Sequence, residues 1–140
     1  MDGDGPILDQ VNLVVSDMEA SVAFYRLLGV DVADTLAEWQ PHHRSAQAGV
    51  DLDFDSARFA RDWNAGSTGP AVVLGFKVPT RDGVDELCGR MRKAGYAVQQ
   101  EPFDAFWGAR YAVVEDPDGN PVGLMSPIDP ARRREHPPPA

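Results

Sequence analysis

Two stretches of the chain place polar side chains at a spacing of two. Gln10 and Asn12 lie in ILDQVNLVV, and Asp51, Asp53 and Asp55 alternate with Leu52 and Phe54 in VDLDFDS. A strand points alternate side chains to opposite faces, so each set shares one face. Three carboxylates on one face either attract a cationic ligand or form a solvated strand face. Burial that lifts one of them, Asp51 or Asp53, towards neutrality would make it a general base, a role also open to His43. His42 and His43 are adjacent on a predicted strand, face opposite ways and cannot form a His–His metal pair. One of them, His43, is assigned to the polar face; the competing reading is a surface position. His136 lies near the C-terminus and reads as solvated.

Aromatic residues supply the second kind of chemistry. Trp39, Trp63, Phe103, Phe106, Trp107 and Tyr111 fall in predicted strands and loops outside the apolar core set. Rings of this kind stack on planar ligands at low rotamer cost, and are equally at home in a subunit interface. Tyr111 opens YAVVEDPDGNPVGLMSP, which reads as a hairpin around Asp116–Asn120, with Pro117 presetting φ and Gly119 and Asn120 tolerating positive φ. In its second strand Gly123 has no side chain to do chemistry.

The elements that must carry these residues repeat. Residues 7–15 read as a strand, followed by a helix through Leu28 with a capping box at Ser16–Glu19 and a stop at Gly29. Three short strands follow over 32–39, 42–48 and 50–55. A connector over 56–70 contains Gly66, Gly69 and Pro70, with a helical turn near Phe59–Trp63. Then come a strand over 71–79, a helix over 82–94 with Val84, Leu87, Cys88 and Met91 at helical spacing, and strands over 97–103, 109–115 and 121–126. The class is α+β: two βαβββ modules, about 7–56 and 71–127, in one domain over residues 1–128. The Pro- and Arg-rich residues 129–140 are expected to be disordered or to pack on a partner chain.

Alternation sorts the strands into two faces. One carries Val11, Leu13, Val15, Val50, Leu52, Phe54, Val72, Leu74, Phe76, Val78, Val122 and Leu124, and is expected to pack under the two helices. The other carries Gln10, Asn12, Asp51, Asp53, Val73, Gly75, Lys77, Gly123 and Met125. A mixed, small and polar face lines a cleft or a ligand cavity.

Composition narrows the partners. The chain has 140 residues, 43% of them hydrophobic, and a net charge of −9, enough for one domain with its own core. The acidity argues against a nucleic-acid surface, which needs a basic stripe. Cys88, the single cysteine, excludes an internal disulfide or a cysteine-based zinc cluster and reads as core. The start MDGDGP lacks an apolar signal region, and no apolar run approaches a membrane span, so a soluble, cytoplasmic protein is expected.

LDQVNLVVSDMEASVAFYRLLGV and FWGARYAVVEDPDGNPVGLMSP, joined by the repeated module, resemble the vicinal oxygen chelate superfamily, which includes glyoxalase I, extradiol dioxygenases and bleomycin-resistance proteins. The resemblance covers almost the whole chain. It implies a curved mixed sheet forming a cup, helices on the outer face and a homodimer. It also implies four metal-ligand positions, which fall on Gln10, Asp51, Val73 and Gly123. Val73 stands where a histidine is usual and Gly123 where a glutamate is usual, and neither offers a donor. No metal or other cofactor is therefore expected, and no catalytic residue is assigned.

What remains resembles the bleomycin-resistance branch. The expected function is metal-independent binding and sequestration of a small aromatic or cationic natural product, of the antibiotic self-resistance type, in pockets at a dimer interface. The expected ligand-binding residues are Gln10, Asn12, Trp39, His43, Asp51, Trp63, Phe103, Phe106, Trp107, Tyr111, Gly123 and Met125. The alternatives are a metal-free lyase, isomerase or epimerase with Asp51, Asp53 or His43 as base, and a divergent metal-dependent glyoxalase or dioxygenase.

Overall fold

A computed structural model describes residues 5–139. The acidic start, residues 1–4, and the last residue of the tail lie outside the described residues. The elements run β1 (Ile7–Val15), α1 (Met18–Leu28), β2 (His43–Gln47), β3 (Asp51–Ser56), α2 (Ala57–Trp63), β4 (Ala71–Lys77), α3 (Arg81–Lys93), β5 (Val98–Asp104), β6 (Arg110–Glu115) and β7 (Pro121–Met125), closed by a 3-10 turn at Pro130–Arg132. The seven strands form one mixed sheet in the order β2-β3-β1-β4-β7-β6-β5. The two modules meet where β1 runs antiparallel to β4, with β1 parallel to β3 and β4 parallel to β7.

The helix starts follow side-chain chemistry. Asp17 caps α1 by accepting from the Ala20 amide at 3.1 Å, one residue later than the Ser16 start of the expected box. Thr80 caps α3. At the β6–β7 hairpin Asp116 accepts from the Asp118 and Asn120 amides, both at 2.9 Å. Gly119 takes a φ of 87°, and no residue other than glycine has positive φ among the described residues.

The expected strand over 32–39 does not form. It leaves a single bridge, Val32 to Ala46, followed by tight turns through Trp39. Two arginines account for this. Arg26 donates to the Val32 carbonyl at 2.7 Å and Arg44 to the Ala33 carbonyl at 3.0 Å, taking acceptors that a further strand would use.

The convex face is covered in two halves. Met18 and Val22 of α1 pack with Phe54, Leu52, Leu13 and Val15; Val84 and Cys88 of α3 pack with Val78, Ala112, Val114, Leu124 and Phe76. Val72 and Leu74, in the middle of the sheet, lie under neither helix and are 54% and 40% exposed, a departure from the single covered face read from the sequence. The third apolar cluster sits on the concave side, where α2 folds over Val14 and Val73 and adds Phe59, Ala60 and Trp63 to Tyr111 and Val113. Trp63 and Tyr111, 4% and 7% exposed, are thus core residues as well as candidate pocket residues. The C-terminal stretch, expected to be free or on a partner, lies along its own domain: the Asp129 amide donates to the Gly108 carbonyl at 3.0 Å and the Arg134 amide to the Phe106 carbonyl at 2.8 Å. No helix among the described residues is long and apolar enough to cross a membrane.

Candidate functional site

The concave face encloses a cavity of about 560 Å³, within the range that takes a drug-sized ligand. Gln10, Asn12, Trp39, His43, Asp51, Trp63, Phe106, Trp107, Tyr111 and Met125 all line it, joined by Thr35, Ser45, Asp53, Asp55, Phe59, Ile128 and Arg133. Phe103 is set back, packed on the concave cluster edge-on to Tyr111 and Trp107. Gly123 is also set back, because the Tyr111 hydroxyl stands 2.6 Å from where its Cβ would be.

The polar side of the cavity is a continuous chain of hydrogen bonds across three strands. Parallel pairing sets Asn12 opposite Asp53, and antiparallel pairing sets His43 opposite Asp55 and Ser45 opposite Asp53. Gln10 Nε2 donates to Asp53 Oδ2 at 2.5 Å and to Asn12 Oδ1 at 3.1 Å. Asn12 Nδ2 donates to Asp55 Oδ2 at 2.8 Å. The other oxygen of Asp55 accepts from His43 Nδ1 at 2.5 Å, and His43 Nε2 lies 3.3 Å from Ser45 Oγ. Asp55, 1% exposed, is held entirely by these partners. Asp51 turns aside and accepts from Gln47 at 2.5 Å. His42 faces away from the cavity chain and meets Ser56 Oγ at 3.1 Å.

This arrangement shifts three groups. Burial pushes Asp53 up to about 6, with the charges of Asp55 and Asp51 adding to the rise and His43 opposing it. Burial lowers the His43 pKa, but the hydrogen bond and charge of Asp55, with the charge of Asp53, outweigh it and leave a net rise above 6.5. Tyr111 is pushed far up by burial beside Asp55 and Asp53, so its hydroxyl stays protonated. A carboxylate accepts only, so the Asp55 contact puts a proton on Nδ1 and leaves Nε2 as the lone-pair nitrogen of neutral His43.

The opposite side is aromatic. Trp39 lies edge-on to Phe59 at 5.0 Å between centroids and is stacked with Phe106 at 6.3 Å. Trp107 lies 5.4 Å from Tyr111 and donates Nε1–H to Met125 Sδ at 3.2 Å. His136, read from the sequence as solvated, stacks on Phe106 at 4.3 Å. Aromatic walls facing carboxylates suit a flat ligand that carries a cation or hydrogen-bond donors.

Asp53 and Asp55 were visible in the sequence as carboxylates at strand spacing and His43 as an imidazole on a separate strand, whereas the joining of the two carboxylates through Gln10 and Asn12 was not. Phe59 and Arg133 carried no such signal: Phe59 reaches the cavity through α2, and Arg133 through the path of the C-terminal stretch.

Residues 7–124 match the Glyoxalase/Bleomycin resistance protein/Dioxygenase superfamily. The chain belongs to that superfamily. Solved structures of similar fold include a Legionella pneumophila protein described as an NAD-dependent benzaldehyde dehydrogenase (18% identity, 84% of this chain and 96% of that one, TM-score 0.63). A Vibrio splendidus member of the superfamily has 15% identity over 88% and 100% of the two chains, with a TM-score of 0.59. Methylmalonyl-CoA epimerase from Streptomyces coelicolor has 22% identity over 88% and 98%, with a TM-score of 0.56. At these identities the likeness is one of fold. No curated protein matches the chain.

The metal positions implied by the superfamily do not fit a divalent ion in this chain. Val73 is 1% exposed and packed in the concave apolar cluster. Gly123 faces Tyr111, Asp51 is engaged by Gln47, and Gln10 turns its amide nitrogen to Asp53. Two oxygen-bearing side chains fall short of the three or more protein ligands that catalytic divalent sites use. Among the described residues no three His, Cys, Asp or Glu side chains gather as a metal-binding group.

Proposed function

We propose that the cup binds a small, flat, aromatic molecule carrying a cationic or hydrogen-bond-donating group, without a metal, and holds it unchanged. The observation that carries this reading is the pairing of an acidic hydrogen-bonded side (Asp53, Asp55, Asn12, Gln10) with an aromatic side (Trp39, Phe106, Trp107) across one cavity. Sequestration of an antibiotic-like natural product is the role such a cup suits, with one ligand for each chain. The test is a tryptophan-fluorescence titration of chelator-treated protein against aromatic and cationic antibiotics, with each ligand recovered and weighed by mass spectrometry. Saturable quenching, intact recovered ligand and weaker binding by Trp107→Ala are expected. No quenching by any member of such a panel would count against the reading.

The His43–Asp55 couple favours a second reading. A buried carboxylate that orients an imidazole and leaves the Nε2 lone pair at the cavity wall, beside the Ser45 hydroxyl, is the arrangement of a general base. The reaction class would be proton abstraction, as in a metal-free isomerase, epimerase or lyase. Recovered ligand of altered structure, or solvent deuterium incorporated into it, with both lost in His43→Gln, would select this reading over sequestration.

A further inference from the structure

The arginine run near the C-terminus takes no part in the chemistry described so far, apart from Arg133 at the edge of the cup. Arg81, Arg132, Arg133 and Arg134, with Asp104, Ala105 and Ala131, surround a second cavity of about 280 Å³. Four of the chain's 13 basic residues thus meet at one small hollow in a protein of net charge −9. Two carboxylates are engaged there: Asp104 pairs with Arg81, and Asp129 lies 3.5 Å from Arg132. Four guanidiniums against two carboxylates leave a local positive charge. The framework is fixed, because Arg81 donates to the Gly108 carbonyl at 3.2 Å and Arg134 to the Asp104 carbonyl at 2.9 Å. Arg133 is different. Among the described residues its guanidinium makes no hydrogen bond or ion pair, and it lines both this hollow and the cup.

We propose that this hollow is an anion subsite that takes a phosphate or carboxylate group, and that Arg133 joins it to the cup so that the anion is an arm of the cup ligand. Guanidinium forks match both groups in geometry and charge. The second half of the proposal rests on the cup binding a flat ligand; the first half does not. The ligand class is then an aromatic amine bearing a phosphate or carboxylate arm.

Two measurements on the full chain separate the halves. Calorimetric titration with inorganic pyrophosphate at low salt should give one site per chain that weakens as salt rises. Arg133→Gln should weaken it about tenfold, the loss of one charge-assisted contact, and Arg132→Gln should also weaken it. Tryptophan fluorescence then compares pyridoxamine with its phosphate ester, which differ by the phosphate alone. The ester should bind more tightly to the natural chain, and the two should bind alike in Arg133→Gln. Absence of pyrophosphate binding at low salt, or binding unchanged in both variants, would overturn the subsite. Pyrophosphate binding with no advantage for the ester would overturn the shared arm alone. Silence of both pyridoxamine probes while pyrophosphate binds would count against the flat aromatic amine as cup ligand and leave the subsite standing.

Discussion

The hydroxyl oxygen of Tyr111 stands 2.6 Å from the place a Cβ on Gly123 would occupy, with two ring carbons at 3.2 Å. Gly123 does not have positive φ, so a larger residue there is opposed by Tyr111 and not by the backbone. The hydroxyl occupies the space that a side chain at position 123 would take. Gly123→Ala should therefore cost about 1–3 kcal/mol, the usual range for overpacking. The same change in a Tyr111→Phe background should cost less. Urea denaturation of the two single variants and the double variant forms the cycle that measures this coupling. Additive costs would show that the contact is relaxed without strain.

Much of this site was legible in short-range pattern. Alternation along β1 and β3 was enough to put Gln10, Asn12, Asp51 and Asp53 on one face, and the hairpin turn announced itself in Asp116–Asn120. What the pattern hid was long-range. Asn12 and Asp55 are 43 positions apart, and only the parallel pairing of β1 with β3 brings them together. The seven-residue α2 is too short for a convincing helical period, yet it turns Trp63 from a loop residue into core. The run over 32–39 carries apolar and polar residues in loose alternation, and its failure as a strand depends on Arg26 and Arg44 reaching its carbonyls. The C-terminal arginines and prolines have the composition of a free tail, and they are held by backbone bonds to Gly108 and Phe106 that no composition reveals.

Asp53 makes stability depend on pH. Its ordinary value is 3.8 and its folded value about 6, mainly through burial. The folded protein then holds a proton that the unfolded chain has released. The stability from this group is full below the unfolded value and is lost as pH rises through about 6. His43, raised above 6.5, contributes in the same sense: its share is present below 6.5 and lost as pH rises through its higher folded value. Asp53→Asn keeps an acceptor for Gln10 and removes the titration. Urea midpoints should fall from about pH 4 to 6 in the natural chain and fall less in the variant. Parallel curves would mean that Asp53 titrates normally.

The His43–Asp55 contact can be read directly. Imidazole signals in an NMR pH titration should place His43 above 6.5, since the partners that raise it outweigh its burial. Asp55→Asn removes the charge and the carboxylate hydrogen bond while leaving the burial. His43 in that variant should titrate below its value in the natural chain, and the fold should lose about 1–3 kcal/mol for the disturbed buried network. A His43 value indifferent to Asp55→Asn would dissolve the couple, and with it the general-base reading.

Arg44 ties the fold to the cup wall. It is 2% exposed on β2, donates through Nε to the Ala33 carbonyl at 3.0 Å and through Nη2 to Asp34 at 2.9 Å. The segment it holds leads directly into Trp39, one wall of the cavity. Arg44→Met keeps the aliphatic volume and removes the donors, leaving the Ala33 carbonyl without its side-chain partner at a cost of about 1–3 kcal/mol. The loss should be local before it is global. Amide hydrogen exchange over residues 32–42 should accelerate more than exchange in β1 or β6, because those strands keep their ladder partners. A ligand that quenches tryptophan in the natural chain should bind the variant more weakly, since Trp39 is then free to leave the wall. Unchanged exchange over 32–42 would show that the turn at Trp39 holds itself in place and that Arg44 only fills the core.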